Sequence, residues 1–209
     1  MLSNRRQRRA LNTSEPGATS PSKRGSPREG VPIRIPVSLR PPNAFESAIL
    51  ASLSPGSYTA IVHGINNTTG VALVEAYDLD TSTTSRLTNI STRGLVQTNS
   101  NVMNAGVIVQ TNSQKVILRA LGPTLASFGV PNPLANPTLE LHDANGSLLA
   151  SNDNWKTTQQ TEITASGYAP PNDLESAIVR TLAPGNYTAI VRGVNSTTGV
   201  ALVEVYALQ

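Results

Sequence analysis

The stretch Pro184-Gly185-Asn186-Tyr187-Thr188-Ala189-Ile190-Val191 decides the fold, because it reads as a turn running into an alternating strand and because it occurs twice. Proline fixes φ and glycine tolerates positive φ, which suits the two central positions of a type II turn. Beyond the turn, Tyr187, Ala189 and Val191 alternate with Thr188, Ile190 and Arg192, so one side is apolar and the other mixed, as in a half-buried strand. The earlier occurrence is Pro55-Gly56-Ser57-Tyr58-Thr59-Ala60-Ile61-Val62.

The match extends outward in both directions. Pro41-Pro42-Asn43-Ala44-Phe45-Glu46-Ser47-Ala48-Ile49 returns as Pro170-Pro171-Asn172-Asp173-Leu174-Glu175-Ser176-Ala177-Ile178, and Thr68-Thr69-Gly70-Val71-Ala72-Leu73-Val74-Glu75 returns as Thr197-Thr198-Gly199-Val200-Ala201-Leu202-Val203-Glu204. About 27 of 39 positions are identical without a gap. Self-similarity of this kind marks a repeated structural unit. The second copy is preceded by residues 85–169, which the first copy lacks, so 85–209 is expected to be a complete unit and 41–80 the C-terminal half of another, joined by a linker at 81–84. The half unit should keep three strands with open edges.

Residues 1–40 share no pattern with 85–169. They are rich in Arg, Ser and Pro without periodicity, the composition of a chain that buries too little to fold, and are read as a disordered basic tail. They are either a genuine extension or the translation of a shifted frame, and the abrupt switch near Arg40 favours the second. No apolar run follows the charged Met1 to Arg9 stretch, so it is not expected to act as a secretory signal.

The tail also explains the charge of the chain. The net charge is +3, but residues 1–40 carry about +7 and the remainder about −4. A mildly acidic body lacks the clustered cations that neutralise nucleic-acid phosphates, so no nucleic acid is expected as its partner. No run approaches the roughly 20 apolar residues of a membrane span. With no Cys, neither disulfides nor thiolate metal sites can form.

Within 85–209, strand signals fall at 102–110, 115–121, 137–142, 147–151, 174–182, 187–193 and 200–206, with one short helix at 159–166. The first two are separated by Thr111-Asn112-Ser113-Gln114 and read as a hairpin; Asp143-Ala144-Asn145-Gly146 turns the chain between the next two, Asn-Gly being a strong hairpin signal. About eight strands of this kind predict an all-β antiparallel sandwich, a jelly roll.

The segment from Leu139-Glu140-Leu141-His142-Asp143 to Asn152-Asp153-Asn154, followed by Leu182-Ala183-Pro184-Gly185-Asn186-Tyr187-Thr188, resembles the bacterial pre-peptidase C-terminal domain. Arg119-Ala120-Leu121-Gly122-Pro123 and Asn152-Asp153-Asn154-Trp155 are also similar to motifs of tandem β-units in large secreted bacterial proteins. That resemblance implies a non-catalytic β-domain of an exported or surface protein. Its partners would be other repeats or domains of a parent chain, or surface glycans, sometimes with calcium.

The chemistry available is sparse. His63 and His142 are the only bases near neutrality, and both read as surface or edge histidines. Asp153, Asp173 and Glu175 could be paired carboxylates for glycosidase work, but the recurrence of Glu175 as Glu46 suits a residue that satisfies backbone donors. No cofactor is required. Calcium is the candidate ion, because hard cations want several oxygens and Asp143, Asn145, Asn152, Asp153 and Asp173 cluster in sequence near one end of a hairpin; the competing reading is Asx turns. This is not an EF-hand loop, since Asn154 stands where a bidentate Glu would be needed. Trp155, the only Trp, is either a stacking platform for a sugar ring or a lid on the core.

Overall fold

A computed structural model describes residues 35–79 and 88–209. Residues 1–34 of the tail expected at 1–40, and the linker expected at 81–84, lie outside the described residues; residues 35–40 include the 3-10 turn Val37–Leu39. Compactness divides the chain between Ala60 and Ile61.

Residues 88–209 hold eight strands: β1 (Asn89–Val96), β2 (Met103–Val109), β3 (Gln114–Leu121), β4 (Pro137–His142), β5 (Leu148–Asn152), β6 (Ser176–Leu182), β7 (Gly185–Gly193) and β8 (Gly199–Ala207). One short helix, α1 (Gln160–Ala165), lies on the β5–β6 crossover. The strands form two four-stranded antiparallel sheets, ordered β1-β8-β3-β6 and β2-β7-β4-β5. That is the strand order of a jelly roll, as the turn spacing predicted.

Binary pattern places the core. Leu139 and Leu141 of β4, Ala189 and Val191 of β7, Leu118 and Ala120 of β3, and Ala201, Val203 and Val205 of β8 point between the sheets. They pack there with Val96, Val107, Leu134, Ile178 and Leu182. A second, smaller cluster lies apart from this core: Ile117, Ala177 and Val179 alternate with core residues along β3 and β6, and are covered by Trp155 and Ile163 of the crossover.

Three expectations need correction. The strand at 89–96 carries too weak an alternation to be singled out: Thr92 and Gly94 interrupt the apolar row of Ile90 and Val96, and pairing with β8 holds it. Residues 102–110 and 115–121 do not make a hairpin, because β2 and β3 enter different sheets and their connection arches across the sandwich. Gly185, with φ 158°, is close to extended and begins β7 rather than sitting in the left-handed position of a type II turn.

Residues 35–79 differ most from expectation. Instead of three strands, the described residues there show two 3-10 turns, Val37–Leu39 and Ile65–Asn67, and a single bridge at Leu53. The local hydrogen bonds of the repeat survive: Tyr58 Oη donates to Ser54 O at 2.9 Å as Tyr187 Oη does to Ala183 O at 2.9 Å. Likewise Thr68 Oγ1 donates to Ile65 O at 2.9 Å as Thr197 Oγ1 does to Val194 O at 2.8 Å. What fails is pairing. In the sandwich β6 pairs only with β3, β7 with β2 and β4, and β8 with β1 and β3. No two of β6, β7 and β8 are neighbours, so this half of the unit has no ladder of its own to make.

Candidate functional site

The polar residues singled out in sequence are divided by β5. Asp143 and Asn145 lie at the β4–β5 turn; Asn152, Asp153, Trp155 and Asp173 lie at the other end of the strand. Five residues of strand separate the two groups by roughly 15 Å, at about 3.4 Å per residue. At the turn, Asp143 Oδ1 accepts the amides of Asn145 at 2.8 Å and Ser147 at 2.9 Å, an Asx turn that closes the hairpin.

At the far end the strand delivers Asn152 into the protein. Its Oδ1 accepts the amide of Ala177 at 3.0 Å and its Nδ2 donates to Asn154 O at 3.1 Å, so one side chain ties β5, the crossover and β6 together. Ser176 Oγ lies 2.5 Å from Pro137 O and 2.6 Å from Asp153 O. With its amide nitrogen turned toward acceptors, Asn136 donates to Leu174 O at 2.8 Å and to Asp153 Oδ1 at 3.2 Å. Asp173 pairs with Lys156 Nζ at 2.6 Å, both side chains being largely exposed. The carboxylates at this end are Asp153, which accepts from Asn136, and Asp173, which is paired with Lys156; among the described residues no three His, Asp or Glu side chains gather to hold an ion.

Trp155 is 7% exposed and packs on Ile117, Ile163, Ala177 and Val179. Its amide donates to Glu175 O at 2.8 Å, and Lys156 Nζ sits 5.2 Å from the ring centroid. Two buried polar atoms here, Asn154 Oδ1 and Trp155 Nε1, have no hydrogen-bond partner. The rest of the crossover binds the edge of the sheet: Gln159 Nε2 donates to Val179 O at 2.9 Å and its Oε1 accepts Val179 N at 3.0 Å, filling both backbone sites of an edge residue.

Glu175 is fully buried and accepts from four donors: Gly122 N at 3.1 Å, Thr124 N at 2.9 Å, Thr124 Oγ1 at 2.9 Å and Asn172 N at 3.2 Å. It fastens the start of β6 to the 3-10 turn Pro123–Phe128. Beside it, Gly122 approaches so closely that a Cβ would fall 2.0 Å from Leu134 O. The glycine of the Gly122-Pro123 motif is thus a packing requirement.

Sequence reasoning missed the cluster centred on Arg119. Its guanidinium donates Nε to Glu204 Oε2 at 3.1 Å and also bonds that oxygen through Nη2; Nη1 donates to Tyr168 O at 2.9 Å. Tyr206 Oη donates to Glu204 Oε1 at 2.9 Å, and its ring stacks on Tyr168 with centroids 4.2 Å apart. Burial, then the charge and hydrogen bond of Glu204, push the Tyr206 phenol up to about 12, Arg119 offsetting part of this. The available signal was the Glu-x-Tyr spacing shared by Glu75/Tyr77 and Glu204/Tyr206.

His142 ends β4, a central strand of the other sheet, with Nε2 2.9 Å from Glu140 Oε2 and Nδ1 3.0 Å from Gly146 O. Both partners are acceptors, so the imidazolium is favoured: the hydrogen bond to Glu140, then that to Gly146, raise its pKa. Burial pushes the Glu140 carboxyl up, but hydrogen bonds from His142 and Arg192 outweigh it and leave the pKa lowered.

No protein-family model and no curated protein matches the chain. Among solved structures, the chain is similar to the pre-peptidase C-terminal domain of collagenase from Bacillus anthracis, at 13% identity and a TM-score of 0.37, over 56% of this chain and 88% of that one.

Proposed function

We propose that the sandwich is a non-catalytic structural or adhesive module of an exported bacterial protein. The observation that carries this reading is the engagement of its titratable side chains in holding strands together. Glu175 accepts four protein donors, Glu204 is paired with Arg119, Asp143 closes a turn, and His142 has both ring nitrogens taken. General acid–base chemistry needs a group free to reach a substrate proton. Export is supported by the sequence motifs shared with secreted bacterial β-units. The test is a panel of glycosidase and esterase substrates run beside binding to immobilised matrix proteins. Turnover above buffer that Asp153→Asn abolishes would overturn the reading.

A second reading, calcium-assisted carbohydrate binding at residues 152–155, is favoured by the orphaned Asn154 Oδ1 and Trp155 Nε1, since buried polar atoms normally have partners. Glycan binding with and without calcium, compared with Trp155→Phe, which keeps an aromatic ring and removes the N–H, separates the two. Calcium-dependent binding lost in that variant would favour recognition over a purely structural role.

A further inference from the structure

We infer that residues 41–77 are a second, interchangeable closing half for the sandwich, able to occupy the places of β6, β7 and β8 on the face built by β1 to β5 of the same chain. The topology supplies the slots, because every ladder made by β6, β7 and β8 runs to a strand of residues 89–142. Sequence supplies the occupant. Of the residues buried in β6 to β8 and at Glu175, only Val179 and Val205 change in the upstream copy, to Leu50 and Ala76. In the structure those upstream counterparts are uncovered: Ile49 is 90% exposed against 2% for Ile178, and Val74 52% against 2% for Val203.

The special contacts transfer as well. Glu46 stands for Glu175 and already accepts the Asn43 amide at 3.4 Å, as Glu175 accepts that of Asn172. Glu75 and Tyr77 stand for the partners of Arg119, and Tyr77 Oη already donates to Glu75 Oε1 at 3.0 Å. Gly70 stands for Gly199, where a Cβ would fall 2.7 Å from the Leu134 backbone. Asn152 and Gln159 grip the backbone of Ala177 and Val179 and would grip Ala48 and Leu50 equally.

Connectivity permits the exchange. β1 and β8 are antiparallel neighbours, with Asn89 opposite Tyr206. Tyr77 in the place of Tyr206 therefore needs only to be joined to Asn89 across one interstrand gap, and residues 78–88 exceed the two to five that a hairpin loop takes. The product is a circular permutant of the sandwich. Downstream closure is the ground state because Arg180 to Leu149 O, Arg192 to Glu140 and Lys156 to Asp173 have no upstream equivalents, Ala51, His63 and Ala44 standing there instead.

The cysteine-free chain allows a direct test in full-length protein. Arg93 faces Leu202 across the β1–β8 ladder, so R93C/L202C reports downstream closure and R93C/L73C upstream closure, while R93C/V71C is out of register. Under mild oxidation R93C/L73C is expected to form an intrachain disulfide at least about tenfold faster than R93C/V71C, and faster still when Gly199→Val blocks β8. Gly199→Val should keep a cooperative unfolding transition that Gly70→Val/Gly199→Val loses. The inference is overturned if R93C/L73C is no faster than R93C/V71C in both backgrounds, or if its disulfide links two chains instead of closing one.

Discussion

Replacing Glu175 by Ala should be among the most damaging single changes in the sandwich. The substitution removes the acceptor of Gly122 N, Thr124 N, Thr124 Oγ1 and Asn172 N at a fully buried position. An orphaned buried donor costs about 1–3 kcal/mol and a hydrogen bond to a charged group contributes about 1.5–3 kcal/mol. The Gly122 amide is buried and incurs the full cost, while the groups nearer the surface recover part of theirs from water. A total of roughly 3–5 kcal/mol follows, which for a fold of this size is a drop in Tm on the order of 10–20 °C. Gln at 175 keeps one acceptor and should cost about 1–2 kcal/mol, since only the donors on the other oxygen lose their partner. The assay is urea unfolding of residues 85–209, where no second closing half exists. The matching Glu46→Ala in the full chain should leave the main transition unmoved, its surroundings being exposed. A loss below about 0.5 kcal/mol for Glu175→Ala, the range of ordinary surface changes, would refute the reasoning.

Deleting residues 1–80 should give a monomer that unfolds cooperatively and aggregates less on heating, by light scattering, because the exposed Phe45, Ile49, Val71 and Leu73 leave with the deleted segment. Arg119→Met strands Glu204 and should destabilise by about 3–5 kcal/mol, the usual result of breaking one side of a buried pair. Glu204→Gln, by contrast, should bring the Tyr206 titration down from about 12, read by ultraviolet absorbance on a difference basis against wild type. His142 gives a pH dependence of fixed sign: its folded pKa is raised, so the folded state holds the proton more tightly. The stabilisation is complete below about 6.5 and lost as pH rises through the folded value. Unfolding midpoints should decline gently through that window and become flatter in His142→Gln.

How much could be read in advance depended on where each signal was local. Strands β3 to β8 are legible because Leu139, Leu141, Ala189 and Val191 alternate within a few residues of a turn. Strand β1 is not, since Thr92 and Gly94 break the apolar row of Ile90 and Val96 and the strand pairs with β8, more than 100 positions away in sequence. The hairpin at 143–146 is marked by its own Asn-Gly, whereas the 111–114 connection, Thr-Asn-Ser-Gln, is equally polar but lacks that dipeptide and arches between sheets. The polar residues split because adjacency of Asp143 and Asn152 along the chain ignores the length of β5. Arg119, Glu204 and Tyr206 lie on neighbouring strands and meet only through register.

The half unit shows why a sequence repeat and a folding unit need not share boundaries. A repeat in a solenoid stacks on its neighbour as an intact supersecondary piece. Here the strands of the repeated segment interleave with those of residues 89–142, so the 27 identities of about 39 positions include strands whose ladders run only to partners outside the repeated stretch. Its turns, by contrast, are self-sufficient: Asn66 at φ 55° and Asn195 at φ 52° adopt the same left-handed conformation whether or not the flanking strands are paired. Local bonds therefore prepare the segment in the shape of its strands' connections, and the cost of completing it falls on closing the ladders. The boundary that matters physically is set by which strands complete the ladders of β6, β7 and β8.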